Sequence, residues 1–208
     1  MSTGMSARTT RANGRASRRQ ILEAASEIAG ECGYQGTSIS AVSERSGLPK
    51  SSIYWHFRNK DDLLAAVIND SYEQWREELG EPHRSTEDGA STFERMYASL
   101  GKFPDFIRLG LLLTLEPAPE GEQAARNRFL QIRQDSLRNL RSVLMVEYPS
   151  LDTTQAEALA AMALALIDGS FVAAIAGETS QTPKLLSDAI DTLAKTMGRD
   201  GNSGGSGV

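Results

Sequence analysis

The stretch ISAVSERSGLPKSSIYWHFRNKDDLL, residues 39–64, decides how the rest of the chain is read. Two short helical segments flank a Gly47-Leu48-Pro49 turn, one ending near Ser46 and the other opening at Lys50 or Ser51. Gly47 stands where a helix C-terminus favours positive φ, and Pro49 cannot continue the first helix. Val42, Leu48 and Ile53 supply a small apolar core, and Ser43 and Ser46 are small where the two helices approach. This is what a helix-turn-helix requires: two short helices held at a fixed angle by a core behind the turn. The outward side of the second helix offers Lys50, Ser51, Ser52, Tyr54 and His56. These are donors, acceptors and an aromatic ring, suited to phosphates and base edges. Ser51 fits the role of helix N-cap as well. Trp55, one position round from Tyr54, and Phe57 are expected in the core.

Outward from this stretch the sequence reads as helix, with no convincing period-two alternation, so the fold class is all-α. Ser17 is the expected N-cap of a first helix reaching about Glu31, with Ile21, Ala25, Ile28 and Cys32 on one face. Residues 1–16, rich in Ser, Thr, Gly and Arg, read as a flexible basic arm. Gly33 and Gly36 bracket a turn, Thr37 is the expected N-cap of a helix over 38–46, and the third helix covers 51–57. The fourth opens at Lys60-Asp61-Asp62, where acids favour the helix dipole, and carries Leu63, Leu64, Val67, Ile68, Tyr72, Trp75 and Leu79. A polar break follows over Gly80–Gly89. Five further helices are expected at about 90–101, 104–115, 120–148, 153–176 and 183–197, with residues 199–208 as a flexible tail. The domain reading is an N-terminal three-helix domain over 17–62 and a larger helical domain over 63–198.

The net charge of −5 over 208 residues argues at first against a polyanionic partner. Its distribution reverses the argument. Residues 1–60 hold nine Lys/Arg against four acids, and the remainder holds 13 basic residues against 23 acidic ones. One end of the chain suits phosphate and the other does not; a basic tail on a neutral domain is the plainer alternative. The single cysteine, Cys32, excludes a disulfide framework within one chain and suits a reducing cytoplasm. No apolar h-region follows the N-terminal arginines, and no unbroken run of 18 apolar residues occurs, so neither a secretory signal nor a membrane span is expected.

Residues 17–68 resemble the DNA-binding domain of tetracycline-repressor (TetR-type) regulators. The strongest likeness is Ser52-Ile53-Tyr54-Trp55-His56-Phe57, then a short turn and Lys60-Asp61-Asp62-Leu63-Leu64. Ile21-Leu22-Glu23-Ala24-Ala25 and Gly33-Tyr34-Gln35-Gly36-Thr37-Ser38-Ile39 add two blocks at the right spacing. Ser43 and Ser46 depart from the family's more usual alanine. The resemblance implies that Thr37 and Ser38 lie near phosphate and that Lys50, Ser51 and Ser52 open the recognition helix. It implies phosphate or base contacts for Tyr54 and His56, and a phosphate at Lys60, with Arg18 and Arg19 adding backbone or minor-groove contacts. It further implies a homodimer through the last two helices, double-stranded operator DNA as partner and a small-molecule effector. No cofactor, metal or membrane is expected.

The C-terminal half is less explicit. The helix over 153–176 is apolar nearly all round and must be covered on several sides, by a copy of itself or within one chain. Trp75, Met96, Phe103, Phe106, Phe129, Met145, Met162 and Phe171 suit either an apolar effector pocket or plain core. Asp168 interrupts the apolar helix and needs a partner: a ligand donor, an arginine such as Arg133 or Arg138, or the dimer surface. An apolar or weakly polar effector that releases a repressor from a palindromic operator is the favoured expectation. A corepressor-dependent regulator and a ligand-binding helical protein without operator specificity are the alternatives. An enzyme is disfavoured, because no nucleophile–base pair, phosphate-cradling glycine loop or His/Cys/acid cluster is visible around His56, His83 or Cys32.

Overall fold

The computed structural model describes residues 3–80, 92–115, 121, 123–177 and 183–203. Among them the chain forms nine helices and no strand. These are α1 (Thr3–Gly36), α2 (Ile39–Ser46), α3 (Lys50–His56), α4 (Lys60–Leu79), α5 (Thr92–Leu100), α6 (Pro104–Leu115), α7 (Ala124–Glu147), α8 (Thr153–Ile175) and α9 (Pro183–Ser203). The expected break after Gly80 and the last residues of the expected tail lie outside the described residues. Packing divides the chain into two units. The first takes residues up to Gln74 with Pro104–Leu130; the second takes Trp75–Phe103 with Gln131 onward. The helices α4 and α7 therefore each run through both.

In the first unit α1 packs against α2, α3 and α6. Ile21, Leu22, Ala25, Ile28, Val42, Ile53, Phe57, Leu63 and Leu64 are all buried and form its centre. Each of the Ile, Leu, Val and Phe side chains among them contributes about 1.5–3 kcal/mol relative to exposure. Two sequence expectations for α1 need correction. It begins at Thr3 rather than at Ser17, because the Ser17 hydroxyl donates to the Asn13 carbonyl (2.9 Å) within the helix instead of capping it. Cys32 is exposed: the covered stripe there passes through Ala29, Gly33 and Tyr34, round from the Ile21–Ala25–Ile28 line. Gly33 breaks the helix with φ 69°, ψ −171°. A Cβ at Gly33 would stand 3.2 Å from Leu112 of α6. Half a turn earlier on α6, a Cβ on Gly110 would strike the Phe129 ring. That absence of a side chain lets Phe106 pack edge-on to Phe129, with centroids 5.8 Å apart, and 6.2 Å from Tyr72.

In the second unit α9 packs against α5 and α8. The α8 start carries a reciprocal cap: Asp152 accepts from the Gln155 amide (2.8 Å) and the Gln155 side chain accepts from Asp152 N–H. Gln155 Nε2 also donates to the Met197 carbonyl of α9 (2.8 Å). The Tyr148 hydroxyl donates to Asp191 (3.2 Å), and burial together with that carboxylate pushes its pKa up to about 12. Helix α9 continues past the expected end at Met197 to Ser203. Gly198 does not stop it; a Cβ there would strike Ser150. One face of α8, through Ala156, Leu159, Ala160, Ala163 and Ile167, is buried, while Met162, Val172 and Ile175 are exposed. By length and composition alone α8 is apolar enough to cross a membrane, with a window of mean hydropathy 2.1, although no unbroken apolar run marks it in the sequence. Its two carboxylates are ion-paired, Glu157 with Arg141 (2.7 Å) and Asp168 with Arg133 (2.8 Å), an arrangement unsuited to a lipid-facing helix.

Gly110→Ala is expected to destabilise the chain by about 1–3 kcal/mol, the usual cost of overpacking a filled core. Urea unfolding followed by circular dichroism will read this as a lower midpoint at unchanged slope.

Candidate nucleic-acid interface

The helix-turn-helix is built by its turn. Gly47 adopts the left-handed conformation, φ 68°, ψ 8°, and its N–H donates to the Glu44 carbonyl. Ser43 and Ser46 do more than stay small. Ser43 Oγ donates to the Leu48 carbonyl (2.7 Å), and Ser46 Oγ accepts from Leu48 N–H (3.3 Å). Gln20 of α1 donates to the Ser46 carbonyl (2.7 Å), anchoring the same corner from behind. Arg45 pairs with both Glu27 and Glu31 of α1 (3.1 and 3.0 Å). The Arg45 guanidinium holds the Glu31 carboxyl below the usual carboxylate range.

The cap of α2 is Ser38, whose hydroxyl accepts from Ala41 N–H (3.1 Å), and not Thr37. Thr37 is 1% exposed and its hydroxyl donates to the Gly33 carbonyl (2.8 Å). Its side chain shapes the α1–α2 corner from inside. Pro49, extended at φ −65°, ψ 149°, leads into α3, and Lys50 is the first helical residue.

On α3, Ile53 and Phe57 are buried, Lys50, Ser51 and Tyr54 are exposed, and Ser52 and His56 are half-buried. Trp55 is 76% exposed, against the expectation that it joins the core. Helical geometry supplies the reason: at about 100° per residue, position 55 lies nearly opposite both 53 and 57, the two positions that anchor α3. On the α1 side, a Cβ at Gly14 would stand 3.7 Å from the indole. The indole packs edge-on to His56 at 4.6 Å. Partial burial first, and the Arg18 guanidinium second, lower the His56 pKa from its ordinary 6.5. Arg18 also lies 5.5 Å from the Phe57 ring centroid.

At the start of α4, Asn59 Oδ1 caps the helix by accepting from Asp62 N–H (2.8 Å). Asp62 in turn accepts from the backbone and side chain of Arg58, which holds its carboxyl low. Lys60 Nζ donates to the Tyr34 carbonyl (3.2 Å) and lies 4.1 Å from the Tyr34 ring centroid. Lys60 thus has an intramolecular task as well as the phosphate contact the sequence reading gives it. Asp61, read from sequence only as a dipole-favouring acid of α4, is 3% exposed. It accepts from Ala124 N–H (2.6 Å) and Ala125 N–H (3.2 Å). Asp61 and Asn59 border a surface cleft of about 420 Å³ with Arg58, Asp62, Gln123 and Asn127.

Residues 21–67 match the model of the bacterial regulatory proteins of the tetR family. Those residues carry a TetR-type N-terminal domain. The chain's full-length likeness is to the HTH-type transcriptional regulator LmrA of Bacillus subtilis, 26% identical over 192 residues, 86% of this chain and 97% of LmrA. The fatty acid metabolism regulator of the same organism is 32% identical over 62 residues, 30% of this chain and 32% of the regulator. With that and several other curated relatives the match spans only about a third of their length. Among solved structures, a SmeT–triclosan complex superposes with a TM-score of 0.66 at 21% identity, over 87% of this chain and 91% of SmeT. FadR of Bacillus subtilis in complex with stearoyl-CoA superposes at 0.62 with 19% identity, over 85% and 97%. These superpositions establish a TetR-type fold along the described chain.

The sequence-proposed effector residues fall in two groups. Phe106 and Phe129 are buried together in the first unit. In the second, Trp75 Nε1 donates to Ser99 Oγ (2.8 Å), which donates to the Met96 carbonyl (2.8 Å). Phe103 and Phe171 are half-buried, whereas Met145 is 39% exposed. Asp168 takes the arginine option: its two carboxylate oxygens receive Arg133 Nη1 and Nη2 at 3.0 and 2.8 Å. Among the described residues no group of three or more His, Cys, Asp or Glu is placed to hold a metal.

The lowered His56 pKa has a definite sign. Between the folded value and the unfolded 6.5 the unfolded chain binds more protons. Stability attributable to His56 is therefore intact above pH 6.5 and is lost as pH falls toward the folded value. His56→Gln is expected to flatten the dependence of melting temperature over pH 5.5–7.5, and an imidazole NMR titration will place His56 below 6.5.

Proposed function

We propose that this chain is a ligand-responsive transcriptional regulator that binds operator DNA through α3 and is released from it by a small, largely apolar molecule. The exposed row Lys50, Ser51, Tyr54 and Trp55 on an anchored α3 carries the reading. A 76% exposed tryptophan beside an exposed tyrosine is costly in water and suits a surface that is covered when DNA is bound. Lys50 and Ser51, with Ser52, approach base edges; Ser38 at the α2 cap and Lys60 at the α4 start approach phosphates. His56 contributes from the rim, in its neutral form at physiological pH. Thr37 acts indirectly, through the corner it holds. The excess of Lys/Arg in residues 1–60 supplies the sequence-independent attraction, so affinity falls steeply with salt.

One helix-turn-helix makes few contacts, and such modules work as dimers on half-sites about 34–36 Å apart. The occupant proposed for the exposed apolar side of α8 is a second copy of the chain, with α9 beside it. Only 28% of the apolar window of α8 is buried within one chain, which leaves a long surface to cover. The domain reading proposed is 17–62 for DNA and 63–198 for effector and dimer, with the cytoplasm as its place of action. For the effector, the support is the apolar character of the middle helices and the ligands printed for two fold relatives, triclosan for SmeT and stearoyl-CoA for FadR. Arg133 is engaged by Asp168, which favours a ligand without a strong anionic group in that part of the second unit.

Lys50→Ala, Tyr54→Ala and Trp55→Ala are each expected to weaken binding to the selected duplex by about 5- to 100-fold, the range of one good base or stacking contact. Melting temperature will stay unchanged. Gel-shift titrations that show wild-type affinity for all three would refute the α3 docking. The Val172→Glu, Ile175→Glu double variant is expected to sediment as a monomer in analytical ultracentrifugation and to lose operator affinity, with its helical content retained.

A further inference from the structure

Asp61 is a buried carboxylate whose partners lie on other elements. Its oxygens receive Ala124 N–H (2.6 Å) and Ala125 N–H (3.2 Å) from the first turn of α7, and the Tyr34 hydroxyl (3.4 Å) from the end of α1. The first-turn amides of a helix have no partner within the helix and carry its positive end. A carboxylate from α4 therefore caps α7, 63 residues away in sequence. Lys60, next in the chain, grips the same Tyr34 by its carbonyl and ring. Tyr34 in turn accepts from Thr37 N–H (3.3 Å), one residue ahead of the Ser38 cap of α2. A second tie joins α7 to α4 lower down, from Arg128 Nε to Asn69 Oδ1 (3.0 Å). Helix α7 then continues unbroken to Arg133, which holds Asp168 of α8.

A helix shifts as a rod. A shift of α7 either carries Asp61 with it, and so moves the α4 start and the Tyr34 corner that sets α2, or strips a buried carboxylate of its donors. We infer that Asp61 is the positioning residue that couples the α7 N-terminus to the helix-turn-helix, so that α7 and operator DNA report on one another through this cap. The inference rests on the operator-binding reading above and adds to it a specific joint. By reciprocity, DNA binding must tighten the cap as much as tightening the cap favours DNA.

The test is amide hydrogen exchange of the full chain, free and saturated with the duplex that the wild-type chain recovers from a randomised DNA pool. In the wild type, the amides of residues 124–127 are expected to exchange at least about tenfold more slowly when DNA is bound. Two variants break the joint from opposite sides. Asp61→Asn removes the charge, and Ala124→Pro removes one donor at a first helical position that tolerates proline. Both are expected to abolish the DNA-dependent protection at 125–127 while still binding the duplex and melting cooperatively. A structural role for Asp61 alone would lower melting temperature without making α7 exchange sensitive to DNA. The inference is overturned if the wild type binds the duplex with unchanged exchange at 124–127, or if either variant that folds keeps the wild-type difference. A wild type that recovers no duplex would instead refute the operator reading, and this inference with it.

Discussion

The constraint on which the first unit depends is the satisfaction of one charge. A carboxylate at the second residue of α4 is removed from water, and among the described residues no arginine or lysine is ion-paired with it. Its donors are the leading amides of α7 and the hydroxyl of Tyr34. Removing such a partner leaves a buried acceptor with its full desolvation cost, which exceeds the net gain of an ordinary hydrogen bond. That cost fixes the α4 start against the end of α1. Only three residues, Phe57 to Asn59, separate α3 from α4, so the orientation of the recognition helix is set from the same point. Lys60 on one side and the Asn59 cap on the other leave that connection little freedom.

Local turn chemistry made most of the DNA-binding half legible in the sequence. Gly47, Pro49 and the Lys60-Asp61-Asp62 opening each act within a few residues, and the helices they delimit lie within a residue or so of expectation. The errors arose where a local rule met a non-local one. Trp55 is expected in the core from its place one position round from Tyr54, although its phase relative to Ile53 and Phe57 puts it opposite the anchor. Ser17 has the chemistry of a cap but is used inside a longer helix. Cys32 shares its spacing with a buried stripe that drifts away before reaching it. Asp61 was visible as an acid in a first turn, but nothing in residues 60–64 says that it serves a different helix.

The C-terminal half was legible as architecture and not as a site. Helix periods and prolines located α5 to α9, while Phe106, Phe129 and Trp75 have the same composition whether they line a cavity or fill one. Asp168 was the informative residue, because a carboxylate in an apolar helix demands a partner, and Arg133 meets that demand with both of its terminal nitrogens. The pair lies partly exposed, with side-chain accessibilities of 29% and 23%. Its value is therefore better understood as fixing the phase of α7 against α8 than as a large store of stability.

The incompletely covered α8 also bears on how much of the protein a cell must hold. On the dimeric reading, a newly made chain carries a long apolar strip with no cover until it meets another. Folding free energy then includes a second-order term, and apparent stability rises with the number of copies present. At low copy number the unpaired form is the one that proteases and chaperones encounter. A regulator built on such a helix has its own abundance as an input, felt through survival of the fold before any ligand or operator is engaged.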